Sequence, residues 1–306
     1  MTVSRRRALG GLLCAGGCAI LGPSMAQTRT VGPATRPIPS TGEPIPVVGL
    51  GTWITFNVGN DPVARDTCTE VVRAFVEDGG RMIDSSPMYG SSQEVIGHAL
   101  RRSSLAPRIF AADKVWISSG ARGREQIEQS RTRWQVPRLD LVQVHNLLAW
   151  QEHLATLFAM KAGKAIRYVG ITTSEGRRHD DIEKIMASHP IDFVQVTYNP
   201  VDREVEQRIL PLARERRIAV IVNRPFREGA LLRALERKPL PAWAVEFDAS
   251  SWAQVVLKFI VTHPSVTCVI PATSRVDHVR ENLRAARGRM PDEAMRRRIV
   301  DAIGRA

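Results

Sequence analysis

Leu139-Asp140-Leu141-Val142-Gln143-Val144, then Gln151–Ala162, then Ile166-Arg167-Tyr168-Val169-Gly170-Ile171 is the passage on which the fold turns. Two short, mostly apolar runs flank a longer segment whose apolar residues recur at helical spacing. Runs of this kind suit strands covered on both faces, which is the situation inside a parallel sheet. The segment between them is long enough for the crossover helix that parallel neighbours require. The passage reads as one strand–helix–strand unit.

The same alternation continues outward in both directions. Strand-like runs fall at Val47–Leu50, Arg81–Asp84, Ile109–Ala112, Leu139–Val144, Ile166–Ile171, Asp192–Val196, Ile218–Val222 and Val266–Ile270. Helix-like stretches separate or follow them at Val63–Glu77, Gln93–Arg102, Arg122–Trp134, Gln151–Ala162, Asp180–Ser188, Glu204–Arg214, Ala249–Val261 and Asp277–Ala286. Eight strand–helix units in a chain of 306 residues favour an α/β fold of the (β/α)8 TIM-barrel type. Periodicity alone leaves an open, doubly wound sheet as the alternative. A further helix over Asp292–Ile303 is expected to pack on the barrel wall. Residues 27–45 are rich in Pro, Thr and Gly and read as a linker entering a hairpin, with Ser40-Thr41-Gly42-Glu43 as its turn. No low-complexity linker interrupts the rest, so residues 46–306 read as a single barrel domain.

The amino terminus reads as an address. Ser4-Arg5-Arg6-Arg7 precedes a short, glycine-rich apolar stretch, and Pro23-Ser24-Met25-Ala26 supplies the small residues of a cleavage site. Paired arginines ahead of a weakly hydrophobic segment are expected to act as a twin-arginine signal peptide over residues 1–26. A membrane anchor and an ordinary secretory signal are the alternatives. The expected partner is the twin-arginine export machinery and the expected location is the periplasm, with no stable membrane insertion after cleavage. Cys14 and Cys18 leave with the leader, and Cys68 and Cys268 are expected as buried thiols.

The formal charge is +12, which raises nucleic acid, an anionic membrane or a phosphorylated ligand as partners. The arginines, however, are scattered through helical segments, and no basic run is interleaved with aromatics. A solvated basic surface with no nucleic-acid partner is the expectation. The histidines and the two later cysteines form no paired metal-ligand spacing. No glycine-rich phosphate loop follows a strand, which argues against a Rossmann or P-loop nucleotide fold.

In a barrel of this type the active site forms at the C-terminal ends of the strands. Asp84 and Tyr89 follow the second run, Lys114 the third and His145 the fourth. A phenol has a pKa near 10, too high for a ready acid at neutrality. A neighbouring ammonium from Lys114 would lower it, Asp84 would hold that ammonium, and His145 would donate a hydrogen bond to a substrate oxygen. Together they suit protonation of a carbonyl oxygen as hydride reaches the carbon. Each residue taken singly has a plainer reading: a helix-capping Asp, a solvated Lys, a packed Tyr or His.

Gly49-Leu50-Gly51-Thr52-Trp53 and Ile83-Asp84-Ser85-Ser86-Pro87-Met88-Tyr89-Gly90-Ser91-Ser92-Gln93-Glu94 resemble the opening of the aldo-keto reductase family. Gly163–Gly170 is similar to that family's run along its fifth strand, and Ile270–Arg275 with Arg280-Glu281-Asn282 resembles its C-terminal cofactor clamp. The resemblance implies reduction of an aldehyde or ketone to an alcohol with NADPH, Tyr89 acting as general acid. It implies that Gly51, Thr52 and Trp53 line the nicotinamide end, and that Trp53 and Trp116 wall the substrate pocket. Gln195 would bind the carboxamide, and Thr273, Arg275, His278 and Asn282 the adenosine and its 2′-phosphate. A guanidinium suits that phosphate because it forms charge-assisted, often bidentate bonds.

Three positions depart from the family pattern. Thr172-Thr173-Ser174 stands where Ser-Asn usually meets the carboxamide. Asn223-Arg224-Pro225-Phe226 stands where a tyrosine usually stacks on the nicotinamide, so that either Arg224 stacks there instead or the ring is held less tightly. Ser274 stands where many members carry a lysine. These departures keep open a rival reading, a cofactor-binding regulatory or redox-relay barrel with little turnover. The short connection after His145 points to an open mouth suited to varied or bulky carbonyl compounds.

Overall fold

The computed structural model describes residues 32–304, so the leader expected over residues 1–26 lies outside the described residues. The described chain opens with a hairpin, β1 (Thr35–Pro37) antiparallel to β2 (Pro44–Pro46). Eight strands follow: β3 (Leu50–Gly51), β4 (Met82–Asp84), β5 (Phe110–Val115), β6 (Leu139–His145), β7 (Ile166–Thr172), β8 (Phe193–Thr197), β9 (Ala219–Asn223) and β10 (Val266–Val269). They lie side by side in chain order, and every neighbouring pair is parallel. The first and last close on each other: Val48 and Gly51 bridge to Val269 and Ala272 in parallel, and Gly49 N–H donates to Val269 O at 2.8 Å. This closure decides against the open sheet. Gly51 is required at the seam, because a Cβ there would lie 2.7 Å from the carbonyl oxygen of Ile270.

The covering helices are α1 (Pro62–Glu77), α2 (Ser92–Ser103), α3 (Gly123–Trp134), α4 (Trp150–Ala162), α5 (His179–Ser188), α6 (Ile209–Arg216), α7 (Ala230–Leu235), α8 (Trp252–Thr262), α9 (Val276–Arg284) and α10 (Glu293–Gly304). Local chemistry sets their starts. Asp61 accepts from Ala64 N–H at the head of α1, with Pro62 in the first turn, and Ser251 accepts from Gln254 N–H at the head of α8. The helix expected over Glu204–Arg214 divides into a 3-10 turn at Glu204–Glu206 and α6. Pro211 explains the break: it lacks an N–H, and a helix beginning at Ile209 keeps it in the first turn, where no intrahelical donor is needed. The segment between β9 and α8, which carries no clear periodicity, forms α7 and a 3-10 helix at Ala242–Phe247. The extra C-terminal helix α10 docks through Arg296, which donates to Tyr198 Oη at 2.7 Å and stacks 4.2 Å from the Phe259 ring centroid.

Alternation along the strands divides the barrel interior into two ends. Lower inward positions are apolar: Met82, Phe110, Leu141, Tyr168, Phe193 and Cys268 pack together. Ile38 and Ile45 from the hairpin join that cluster, fully buried, and stopper the N-terminal end. Two or four residues further along the strands, the inward positions turn polar, at Asp84, Lys114, Gln143, Thr172 and Gln195. The alternation that builds a core at one end therefore delivers functional groups to the other. Cys68 and Cys268 are both free and buried.

Ile45→Ala is expected to lower unfolding free energy by about 2–5 kcal/mol, the usual cost of a truncated core isoleucine. Urea unfolding measures it, and turnover of the folded variant should be unchanged because the hairpin closes the opposite end of the barrel.

Candidate active site

Asp84 is the last residue of β4 and Lys114 the fifth of β5, and both point inward. Their side chains, almost wholly buried, form a direct ion pair between Lys114 Nζ and Asp84 Oδ2. Burying two charges is costly unless the remaining bonding capacity is met. Here it is: Lys114 also donates to Ser85 O at 2.8 Å, while Asp84 Oδ1 accepts from Gln195 Nε2 at 2.8 Å and from Gln143 Nε2 at 3.3 Å. Asp84 thus acts as the ammonium's anchor and caps no helix.

Tyr89 sits on the turn between β4 and α2, with its ring centroid 5.0 Å from Lys114 Nζ. Two local features set this turn. Gly90 adopts φ +60, a conformation glycine enters without strain. The Asn57 side chain occupies the space beside it, where a Cβ would approach Oδ1 to 2.2 Å. Asn57 Oδ1 in turn accepts from Ser91 N–H at 3.0 Å, tying the loop after β3 to the loop carrying Tyr89. Asn57 was not singled out in the sequence, since an exposed loop Asn carries no periodic signal.

Burial raises the Tyr89 pKa, and the Lys114 ammonium opposes that rise without reversing it. The expectation of a net lowering by Lys114 therefore does not hold for the protein alone, since removing the phenolate from water outweighs one nearby cation. Burial also works against the charge on Lys114, but Asp84 and Tyr89 hold its pKa above the usual value. Lys114 stays an ammonium. His145, at the end of β6, packs edge-on to Tyr89 with centroids 5.8 Å apart. Burial, with Lys114 adding to it, lowers its pKa to about 3, so its ring is neutral. Ser86 Oγ lies 2.8 Å from His145 Nδ1 and already accepts from Met88 N–H at 3.2 Å. The hydroxyl proton is best used toward Nδ1, which leaves the ring proton on Nε2 as a donor.

Above these groups opens a cavity of about 590 Å³. Asp84, Tyr89 and His145 form part of its wall, and Gly51, Thr52 and Trp53 line one side. Thr172, Thr173, Gln195, Asn223 and Arg224 line another, and Thr273, His278 and Asn282 complete the lining. Lys114 lies beneath, reached only through Tyr89 and Asp84. Two expected residues stand off the cavity. The Arg275 side chain is exposed and paired with Asp277, Nε to Oδ1 at 3.0 Å. Trp116 is exposed, with its main chain clasped by Gln126, which accepts from Trp116 N–H at 2.7 Å and donates to Trp116 O at 3.0 Å.

The positions that depart from the family pattern are engaged among themselves. Gln195 Oε1 accepts from Thr172 Oγ1 at 3.1 Å, and Asn223 Nδ2 donates to Thr173 O at 2.9 Å. Arg224 reaches across the mouth to Glu175 at 2.8 Å and Glu228 at 2.6 Å, 5.8 Å from the Trp53 ring centroid. The connection after His145 is four residues long, and the deeper wall comes instead from Phe226 and Leu232 between β9 and α8. That segment gave no periodicity from which to read them.

Residues 47–302 match the model of the aldo/keto reductase family. The chain belongs to that family. Among curated relatives, this aldo/keto reductase is 27% identical over 245 residues to methylglyoxal reductase YeaE of Escherichia coli, covering 78% of this chain and 84% of that one. It is 23% identical over 329 residues to the NADH-specific methylglyoxal reductase of the same organism, covering 88% and 99%. Its fold matches the aldo/keto reductase of Klebsiella pneumoniae crystallised with NADP and acetate, at a TM-score of 0.75 and 24% identity over 88% of this chain and 96% of that one. The (β/α)8 barrel and the oxidoreductase class stand on these matches.

With His145 neutral, log kcat for this reductase should show no inflection near pH 6.5. A rate profile between pH 5 and 8 tests this, and a step there would mean that the imidazole titrates.

Proposed function

We propose that this protein reduces an aldehyde or ketone to an alcohol with NADPH, Tyr89 being the general acid. The observation that carries the reading is the Tyr89 phenol at a cavity wall, directly above a buried Lys114–Asp84 pair and edge-on to a neutral His145.

The cavity suits an extended dinucleotide. Its lining takes in Gly51–Trp53, Thr273 just before α9, and His278 and Asn282 on that helix, and the buried Thr173 hydroxyl in it has no partner among the described residues. Thr172, Thr173 and Asn223 would hold the nicotinamide end, with Gln195 beneath them. Arg275 is free to reorganise toward a 2′-phosphate, because an exposed ion pair such as that with Asp277 is weakly held in water. The relatives add support, since two of them are named for reduction of a carbonyl compound and the Klebsiella neighbour holds NADP.

When bound, the cofactor supplies the hydride that reduces the carbonyl carbon. His145 Nε2–H and the Tyr89 hydroxyl donate to the carbonyl oxygen and fix its position. Tyr89 gives its proton to that oxygen as negative charge develops there, and the phenolate left behind is stabilised by the Lys114 ammonium. Asp84 keeps Lys114 charged and in place throughout. Because burial keeps Tyr89 protonated at neutral pH, the acid form is present at the start of each turnover.

We further propose that Arg5 and Arg6 direct export of the folded enzyme by the twin-arginine route to the periplasm. A route that carries folded proteins suits an enzyme that takes up its nucleotide before leaving the cytoplasm.

Tyr89→Phe should lower kcat for an aldehyde by about 10²–10⁴-fold, the usual worth of a positioned acid. Its NADPH affinity, followed by fluorescence quenching, should change little. Turnover equal to the parent would end the assignment. Separately, changing Arg5 and Arg6 to Lys should leave the precursor in the cytoplasmic fraction; undiminished periplasmic enzyme would sink the export proposal.

A further inference from the structure

One buried ionisable group lies beside the site and takes no part in the chemistry described so far. Asp113 precedes Lys114 on β5, so its side chain points the other way, out of the barrel and into the space between β5, α2 and α3. It is completely buried and makes no ion pair among the described residues. Its carboxylate is satisfied by neutral donors alone. Oδ1 accepts from Lys114 N–H at 2.7 Å, and Oδ2 accepts from Gln93 Nε2 at 2.7 Å and Trp134 Nε1 at 2.5 Å. Burial pushes its pKa up to about 7, against the pull of these bonds.

An unpaired carboxylate is an expensive way to fill a core position, since an apolar residue would pack there at no such cost. What it holds is informative. The ladder between β4 and β5 ends at Asp84 and Ala112, two residues short of Lys114, and the Lys114 N–H bonds to Asp113. Gln93, the second residue of α2, lies four positions after Tyr89, and Ser92 closes the turn between them by donating to Tyr89 O at 2.8 Å. Gln93 is itself fixed by Ser130 Oγ, which shares its Nε2 at 2.9 Å, and by Arg133, which donates to its Oε1 at 3.2 Å. One carboxylate therefore bonds the backbone of the residue that bears the ammonium to the helix that begins beside the phenol.

We propose that Asp113 is a positioning residue for the reaction: through Gln93 and Trp134 it sets the separation of Lys114 from Tyr89. This rests on the reading of Tyr89 as acid and Lys114 as the cation that stabilises its phenolate. Asp113 does not line the cavity, and its effect passes through the contact between Lys114 and Tyr89.

That last property supplies the test. Asp113→Asn keeps the size of the side chain but turns an amide NH2 toward two donors, which loosens the clasp. In the full-length enzyme loaded with NADPH, single-turnover reduction of an aldehyde should slow about 10–100-fold. KM and NADPH affinity should stay within about threefold of the parent, and the circular dichroism spectrum should be retained. The same substitution made in a Lys114→Met background should slow the reaction no further, since the group it positions is gone. Trp134→Phe, which removes the indole donor together with part of the buried ring while leaving the carboxylate in place, should show the same pattern at about 3–10-fold and serves where Asp113→Asn does not fold.

Equal losses in the two backgrounds would mean a general packing role and overturn the inference while leaving the reading of Tyr89 and Lys114 intact. A parental rate for Asp113→Asn would overturn it as well. A parental rate for Lys114→Met alone would overturn the reading of the site, and this inference with it.

Discussion

Two opposite charges almost wholly removed from water, Lys114 and Asp84, set the terms for the upper half of the barrel. Each ion costs several kcal/mol to desolvate, and their attraction offsets this only if the remaining hydrogen bonds are made. Those bonds come from two other strands, through Gln143 on β6 and Gln195 on β8, and from the main chain of Ser85 just past Asp84's own strand. The pair therefore requires a closed ring of strands, because an open sheet could not surround it. It also dictates what stands above it. A phenol over a fixed ammonium can lose a proton to a carbonyl oxygen in a way that an isolated tyrosine cannot.

Burial acts on the two groups that face the cavity in opposite directions, and both outcomes suit the proposed step. It holds the proton on Tyr89 and keeps one off His145. A protonated phenol and a neutral imidazole with a free N–H are the two donors that the proposed reaction would use on one carbonyl oxygen. The cause is the same in both cases: a site poor in water disfavours whichever form is charged. The Lys114 ammonium adds its field to both, opposing the rise at Tyr89 and deepening the fall at His145.

The barrel separates this chemistry from the packing that sustains it. Its lower end is filled by aromatic and branched side chains and stoppered by Ile38 and Ile45, so its stability does not depend on the polar ring above. The mouth is bounded by connections of unequal length. The short one after His145 leaves room, the loop after β3 presents Trp53, and the longer passage from Arg224 through α7 adds charge and depth. Arg224, bonded to Glu175 and Glu228, spans that mouth, and its guanidinium is committed to carboxylates in this structure.

Much of this was legible in the chain itself. Strand and helix order followed from periodicity, because each apolar run had to be buried on both faces. The residues after successive strands identified Asp84, Tyr89, Lys114 and His145, because a parallel barrel collects its strand ends on one rim. Sequence could not show that Arg275 would turn to Asp277, that Gln195 would spend its amide on Asp84, or that burial would outweigh Lys114 at Tyr89. Nor could it show the roles of Asn57, Gln93 and Asp113, whose partners lie on other elements. The sequence by itself determined which elements form and which face of each is inward, since those depend on neighbours two to four residues away. The tertiary structure alone decided hydrogen-bond partners, burial and the resulting pKa shifts, since these are sums over groups brought together only when the barrel closes.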